Sequence, residues 1–165
     1  MGLTAALALY GWIRLRTPDT YRWIDSLDLA IHEAGHLVFG FDGRTLAVLG
    51  GTLLQLLAPA VFAVALLRQG DRHGATVPLW WLGQSCWNVA RYVRDARMQA
   101  LPLVGGGEHD WAYLLGHWGV LQRDQQIGRT VYLAGVLCYL ASIVGGWLVL
   151  QQAGTRAGSR AQEVR

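Results

Sequence analysis

His32-Glu33-Ala34-Gly35-His36 sets two imidazoles four residues apart, with a carboxylate beside the first. On a helix that spacing puts both rings on one face, one turn apart. Two such rings can reach one tetrahedral zinc ion at about 2.0–2.1 Å. Glu33 then projects where it can hold a metal-activated water and take its proton. By composition, with 5 His in 165 residues, chance would place this HExxH pattern in roughly one such chain in several hundred. The plain alternative is a surface helix carrying two unrelated histidines. The apolar surroundings weigh against it, because polar groups there need a reason.

A catalytic zinc takes three protein ligands and leaves a fourth position to water. His32 and His36 supply two, and the third must come from elsewhere. The candidates are Asp110, His109 and Asp95, with His117 more distant. His109 and Asp110 follow Gly105-Gly106-Gly107-Glu108 and belong to no obvious charge pair, whereas Asp95 has Arg91, Arg94 and Arg97 close by. The reading therefore favours Asp110, then His109. The other reading of Asp110 is a residue that caps the next helix. Asp25, Asp28, His32 and His36 are spaced 3, 4 and 4 apart and form one polar stripe. Asp28 is either an outer-shell acceptor for an imidazole N–H or a solvated first-turn acid. Asn88, Tyr92, Asp95 and Gln99 share a second face. There Asn88 or Asp95 could face the metal or a substrate, or Asp95 could pair with a nearby Arg.

The elements that must carry these residues read as membrane helices. The chain is 53% hydrophobic and 15% charged, with a mean hydropathy of +0.26, which suits a membrane protein better than a soluble domain. Eight Trp and six Tyr favour membrane interfaces. The net charge of +3 comes from Arg spread along the chain, which excludes a clustered nucleic-acid footprint. Residues 2–13 are an apolar segment short for a span, ended by Thr17-Pro18-Asp19, and the HExxH helix is expected over about 20–40. Phe41-Asp42-Gly43-Arg44 reads as a turn. Residues 46–67 give 22 uncharged residues, and 130–150 give 21, each enough to cross about 30 Å of hydrocarbon. Gly50, Gly51, Thr52 and Gln55 suggest close packing against a neighbouring helix. A helix from Val77 through Arg97, ended by Pro102, and a short one from Trp111 to about Leu121 complete the set. The expectation is an all-α, polytopic membrane bundle of about four to six helices, some short or re-entrant. It forms a single domain over 1–150, followed by a disordered polar tail over 151–165. Cys86 and Cys138 read as small buried hydrophobes.

These features resemble the site-2 protease family of membrane-embedded zinc metalloproteases. The resemblance rests on His32-Glu33-Ala34-Gly35-His36 in an apolar helix, the following span Leu49-Gly50-Gly51-Thr52-Leu53-Leu54-Gln55-Leu56-Leu57-Ala58-Pro59, and a later Asp opening a helix after a Gly-rich loop. It covers roughly residues 20–120. The family's Asn-Pro…Leu-Asp-Gly signature is absent, and His109-Asp110-Trp111 stands in its place. The resemblance implies His32, His36 and Asp110 as ligands of one Zn2+ per chain, and Glu33 as the base. It also implies an integral protein of a bacterial plasma membrane that hydrolyses peptide bonds of membrane-embedded or membrane-proximal substrates. The rival reading is a non-proteolytic membrane protein that binds a metal for structure or sensing. A closed site of His32, His36, His109 and Asp110 would serve that role, and it would not need Glu33. A third reading is a scaffold with a degenerate motif.

Overall fold

The computed structural model describes residues 2–17, 20–41, 43–104 and 107–163, with side chains described as far as Thr155. The expected breaks at Pro18-Asp19, Asp42 and Gly105-Gly106 therefore fall outside the described residues. Every regular element described is helical. These are α1 (Gly2–Arg16), α2 (Trp23–Val38), α3 (Arg44–Arg68), α4 (Thr76–Arg94), α5 (Asp110–His117) and α6 (Asp124–Glu163), with a 3-10 turn at Leu121–Arg123.

α2 begins where Asp25, at its third position, accepts the backbone N–H of Arg22 at 2.7 Å, which satisfies one of the orphan donors of a helix start. It pairs with α3 as an antiparallel hairpin. Gly35 lies against Gly50 so closely that a Cβ on Gly50 would sit 2.6 Å from the Gly35 carbonyl. The small residues of this stretch let two backbones touch. α3 runs on through Pro59 without ending.

α4 is the central helix. It is buried along most of its length and contributes Val89 and Val93 to one apolar cluster with Trp111, Leu114 and Leu115. It contributes Trp80 and Trp87 to a second cluster with Ile24 and Tyr139. α4 ends at Arg94, before the Pro102 expected to stop it. The Asp95 carboxylate turns back to accept the N–H groups of Ala100 and Leu101, both at 3.0 Å, and this side-chain bonding competes with the helix. α5 is likewise shorter than expected, stopping before Gly119, whose φ is +67°.

α6 packs antiparallel on α4 through a seam of small residues at seven-residue intervals. The Ser142 hydroxyl donates to the Thr76 carbonyl at 2.6 Å. Gly83 faces Gly135, where a Cβ on either would lie 2.8 Å from the other's carbonyl oxygen. Gly128 sits over Ala90, 2.9 Å being the distance its Cβ would have from that carbonyl. Such a repeat keeps one face of each helix in contact. Gly135→Leu should therefore cost about 1–3 kcal/mol by overpacking, read as a lower unfolding midpoint in detergent. An unchanged midpoint would mean the seam yields.

The sequence reading ends the last helix near 150. Here α6 continues to Glu163, since extending a helix adds one hydrogen bond per residue with no new nucleus to form. Among the described residues, two segments are long and apolar enough to cross a membrane, Arg44–Arg68 and Leu121–Thr155.

Candidate metal centre

The α2–α3 hairpin sets the two histidines and fixes how they face. His36 Nδ1 lies 2.9 Å from the Ala47 carbonyl. A carbonyl only accepts, so Nδ1 carries the hydrogen and Nε2 presents a lone pair. His32 Nδ1 lies 3.1 Å from Gln55 Oε1. The rings meet edge to face with centroids 4.8 Å apart. Gly51 makes room for them, because a Cβ there would come within 2.6 Å of His32 Nε2.

The third group arrives from 74 positions along the chain beyond His36, on the first residue of α5. His109 caps this helix, its Nδ1 accepting the Ala112 N–H at 3.3 Å. The His109 ring packs at a tilt against Tyr92, centroids 4.2 Å apart, and the Tyr92 hydroxyl accepts the Asp110 N–H at 3.2 Å. Trp111 Nε1 donates to Thr52 at 3.2 Å, tying α5 to α3 beside the histidines. Asp110 is thereby delivered with Oδ2 2.8 Å from His32 Nε2 and 3.3 Å from His36 Nε2.

Among the described residues, His32, His36 and Asp110 form a cluster of ligand atoms all within 4.8 Å of one another. With the hydrogen of His36 on Nδ1, a lone pair of that ring is aimed at a carboxylate. Such a set calls for a positive charge at its centre, either a shared proton or a metal cation. Two neutral imidazoles and one carboxylate are the donor set of a catalytic zinc site, so these residues fit the ion. Glu33 lies beside the cluster, exposed on a cavity of about 610 Å³ that it lines together with His32, His36, Gln55, Asn88, Tyr92 and Asp110. The strand of chain from Leu101 to Val104 forms another wall. This volume lies within the range of ligand sites.

The other candidate residues stand apart from the cluster. His109 is fully buried with Nδ1 engaged in the cap, and its Nε2 is 3.3 Å from Asp95 Oδ2 but out of line for a hydrogen bond. Burial lowers its pKa against the opposing pull of Asp95. Its side chain therefore supports Asp110 and is turned away from the metal position. Asp95 holds the Ala100–Leu101 turn and faces His109, not the metal cluster. Asp28 is not the acceptor for an imidazole N–H. It sits in the helix packing, where Oδ1 takes bonds from Trp81 at 2.8 Å and Ser85 at 3.1 Å. His32 is served by Gln55 from α3 instead. Asn88 lies between Gln55 Nε2 at 3.4 Å and Asp25 Oδ1 at 3.2 Å.

Sequence alone put Gln55 in helix packing and Asp25 in the polar stripe, and found neither the Gln55 bond to His32 nor the partners of Asp25. Asp25 is 1% exposed and its Oδ1 also takes Gln84 at 2.8 Å and Arg14 at 3.3 Å. The polar stripe on α2 contained Asp25, but its partners on α1 and α4 could be found only from the packing. Breaking a buried pair such as Arg14–Asp25 costs about 3–5 kcal/mol, which marks the group as held in place. No family model, no curated protein and no solved structure matches this chain.

Proposed function

We propose that the chain is a small membrane-embedded zinc metallopeptidase of the site-2 protease kind, hydrolysing peptide bonds of membrane-embedded or membrane-proximal substrates. The observation that carries this reading is the convergence of His32, His36 and Asp110 with Glu33 on one cavity. His32, His36 and Asp110 would hold the ion, which when bound polarises water and the scissile carbonyl. Glu33 takes the proton from the attacking water and returns it to the leaving amine. Ala47 and Gln55 hold the two imidazoles in the orientation that ligation needs. Tyr92 and the His109 cap keep Asp110 on its mark.

The rival structural or sensing site needs a fourth protein ligand. His109, its best candidate, spends Nδ1 on the α5 cap and sets Nε2 3.3 Å from Asp95 Oδ2, which favours a coordination position left to water. The membrane setting is supported by the surface of the spans. Only 33% of the apolar window of Arg44–Arg68 and 22% of that of Leu121–Thr155 is buried within the protein, whereas a core helix would be mostly buried. Leu57, Val61, Phe62 and Leu67 on α3, and Leu133, Leu137, Val144 and Trp147 on α6, are exposed. Apolar surface exposed along two long helices calls for lipid or a partner. Gly51 lies seven residues inside α3 from Arg44, about 10 Å by helical rise. The cavity then sits in the half of the membrane nearer Arg44, and the bond cut lies near that face.

The test uses detergent-purified protein and a peptide with one membrane-spanning segment. Zinc-loaded protein should cut the peptide, a chelator should stop it, and added zinc should restore it. Cleavage that survives complete zinc removal would refute the reading. Gly51→Ala should weaken zinc binding at least about tenfold by displacing His32, the scale of losses from disturbed ligand support. Affinity equal to wild type, measured by chelator competition, would show that the ring can shift without loss.

A further inference from the structure

We infer that Asp25 is a positioning residue for the metal centre: acting through Asn88 and Gln55, it fixes which nitrogen of His32 carries the hydrogen. The inference rests on the metal reading above and adds a determinant that reaches the histidine through two amides.

The direction of this chain of bonds follows from chemistry. A carboxylate only accepts, so the group that Asn88 turns toward Asp25 must be its NH2, at 3.2 Å. The Asn88 oxygen is then the atom that faces Gln55. Gln55 must present its own NH2 there, at 3.4 Å. That leaves Gln55 Oε1 as the atom 3.1 Å from His32 Nδ1. An amide oxygen only accepts, so His32 Nδ1 carries the hydrogen and Nε2 turns its lone pair to Asp110. Amide orientation is ordinarily ambiguous. Here one anion at the far end removes the ambiguity at both links. His36 reaches the same state by a direct bond to the Ala47 carbonyl, so both rings present Nε2 to the same point.

Asp25 is placed to hold this direction. Its Oδ2 is committed to the Arg22 N–H and its Oδ1 also accepts from Gln84 and Arg14. Were the relay reversed, Gln55 would offer an N–H to His32 Nδ1. The hydrogen would then move to Nε2 and block the ligand position.

The test compares wild type with Asp25→Asn, Asn88→Leu, and each of these combined with Gln55→Glu. Zinc affinity is measured by chelator competition, and the His32 ring hydrogen by nitrogen-15 NMR of histidine-labelled protein. Asp25→Asn and Asn88→Leu should each weaken zinc about 10–100-fold, the usual loss when an outer partner of a ligand is removed. Each should also lose the defined Nδ1–H signal of His32. Gln55→Glu gives His32 a carboxylate acceptor that needs no relay, so it should restore both readouts in either background. Asn88→Leu leaves the α2 cap and the Arg14 pair untouched, so it keeps the test valid if Asp25→Asn does not fold. Unchanged affinity and an unchanged Nδ1–H signal in Asn88→Leu would overturn the inference. Affinity lost but not restored by Gln55→Glu would overturn it too, and would assign Asp25 and Asn88 to packing alone. A wild type that binds no zinc, yet shows an Nδ1–H signal that disappears in Asn88→Leu, would refute the metal reading and support the relay.

Discussion

Glu33→Gln will hold zinc as tightly as wild type and cleave a membrane-spanning peptide about 10²–10⁴-fold more slowly, the usual contribution of a general acid–base group. Glu33 is exposed on the cavity next to the clustered ligand atoms and is not one of them. The amide keeps size and hydrogen-bonding reach but cannot take a proton from water. Fold and metal content should therefore be unaffected while turnover collapses. Elemental analysis beside a cleavage assay on one preparation reads both. Full activity in Glu33→Gln would end the peptidase reading and leave a protein that binds metal for another purpose.

Asp110→Asn will lose zinc by more than the 10–100-fold typical of an outer-shell change, because on the proposed reading it removes the anionic ligand itself. It also puts an NH2 within reach of the two Nε2 lone pairs, where it can donate to them and occupy the position. The helix that carries it should survive. α5 is capped by His109 and anchored by Trp111 to Thr52, and the lost charge at its first turn is worth only about 0.3–1 kcal/mol. Thermal unfolding close to wild type, together with absent zinc, is the expected pair of results. Zinc retained at one ion per chain would move the third ligand off Asp110.

The histidines were legible because their relation is local. Two residues four apart on a helix are neighbours whatever the tertiary structure does. Asp110 could be ranked above His109 and Asp95 only by its surroundings in the chain, and the structure brings it to both histidines. What separates it from His109 is one residue of register at the start of α5. There the first side chain caps the helix and the next projects into the cavity. Asp28 shows the converse. It lies one turn before His32, a spacing that permits contact, but Trp81 and Ser85 from α4 claim its oxygen. Both polar stripes, on α2 and on α4, could be read from periodicity. Their joining through Gln55 could not, since it depends on how three helices meet. The α4–α6 seam was also hidden, because isolated Gly and Ser residues seven apart carry no signal until their partners are known. Of the helical architecture, the two long apolar segments were read at nearly the positions found, and the length of α6 was not.

At 40 residues, α6 is about 60 Å long at 1.5 Å per residue, twice the thickness of a hydrocarbon layer. Its first residue, Asp124, is tied to Arg97 just after α4, at 2.8 Å. Because α3 and α4 run in opposite directions, this is also the end of the bundle where Arg44 and the cavity lie. On the proposed reading, the remainder of α6 emerges on the other side of a bilayer. Chemistry and the far end of α6 are then in different compartments. A reporter fused beyond Glu163 would then sample the solution that never reaches the zinc, and impermeant reagents added to sealed vesicles should find one or the other but not both.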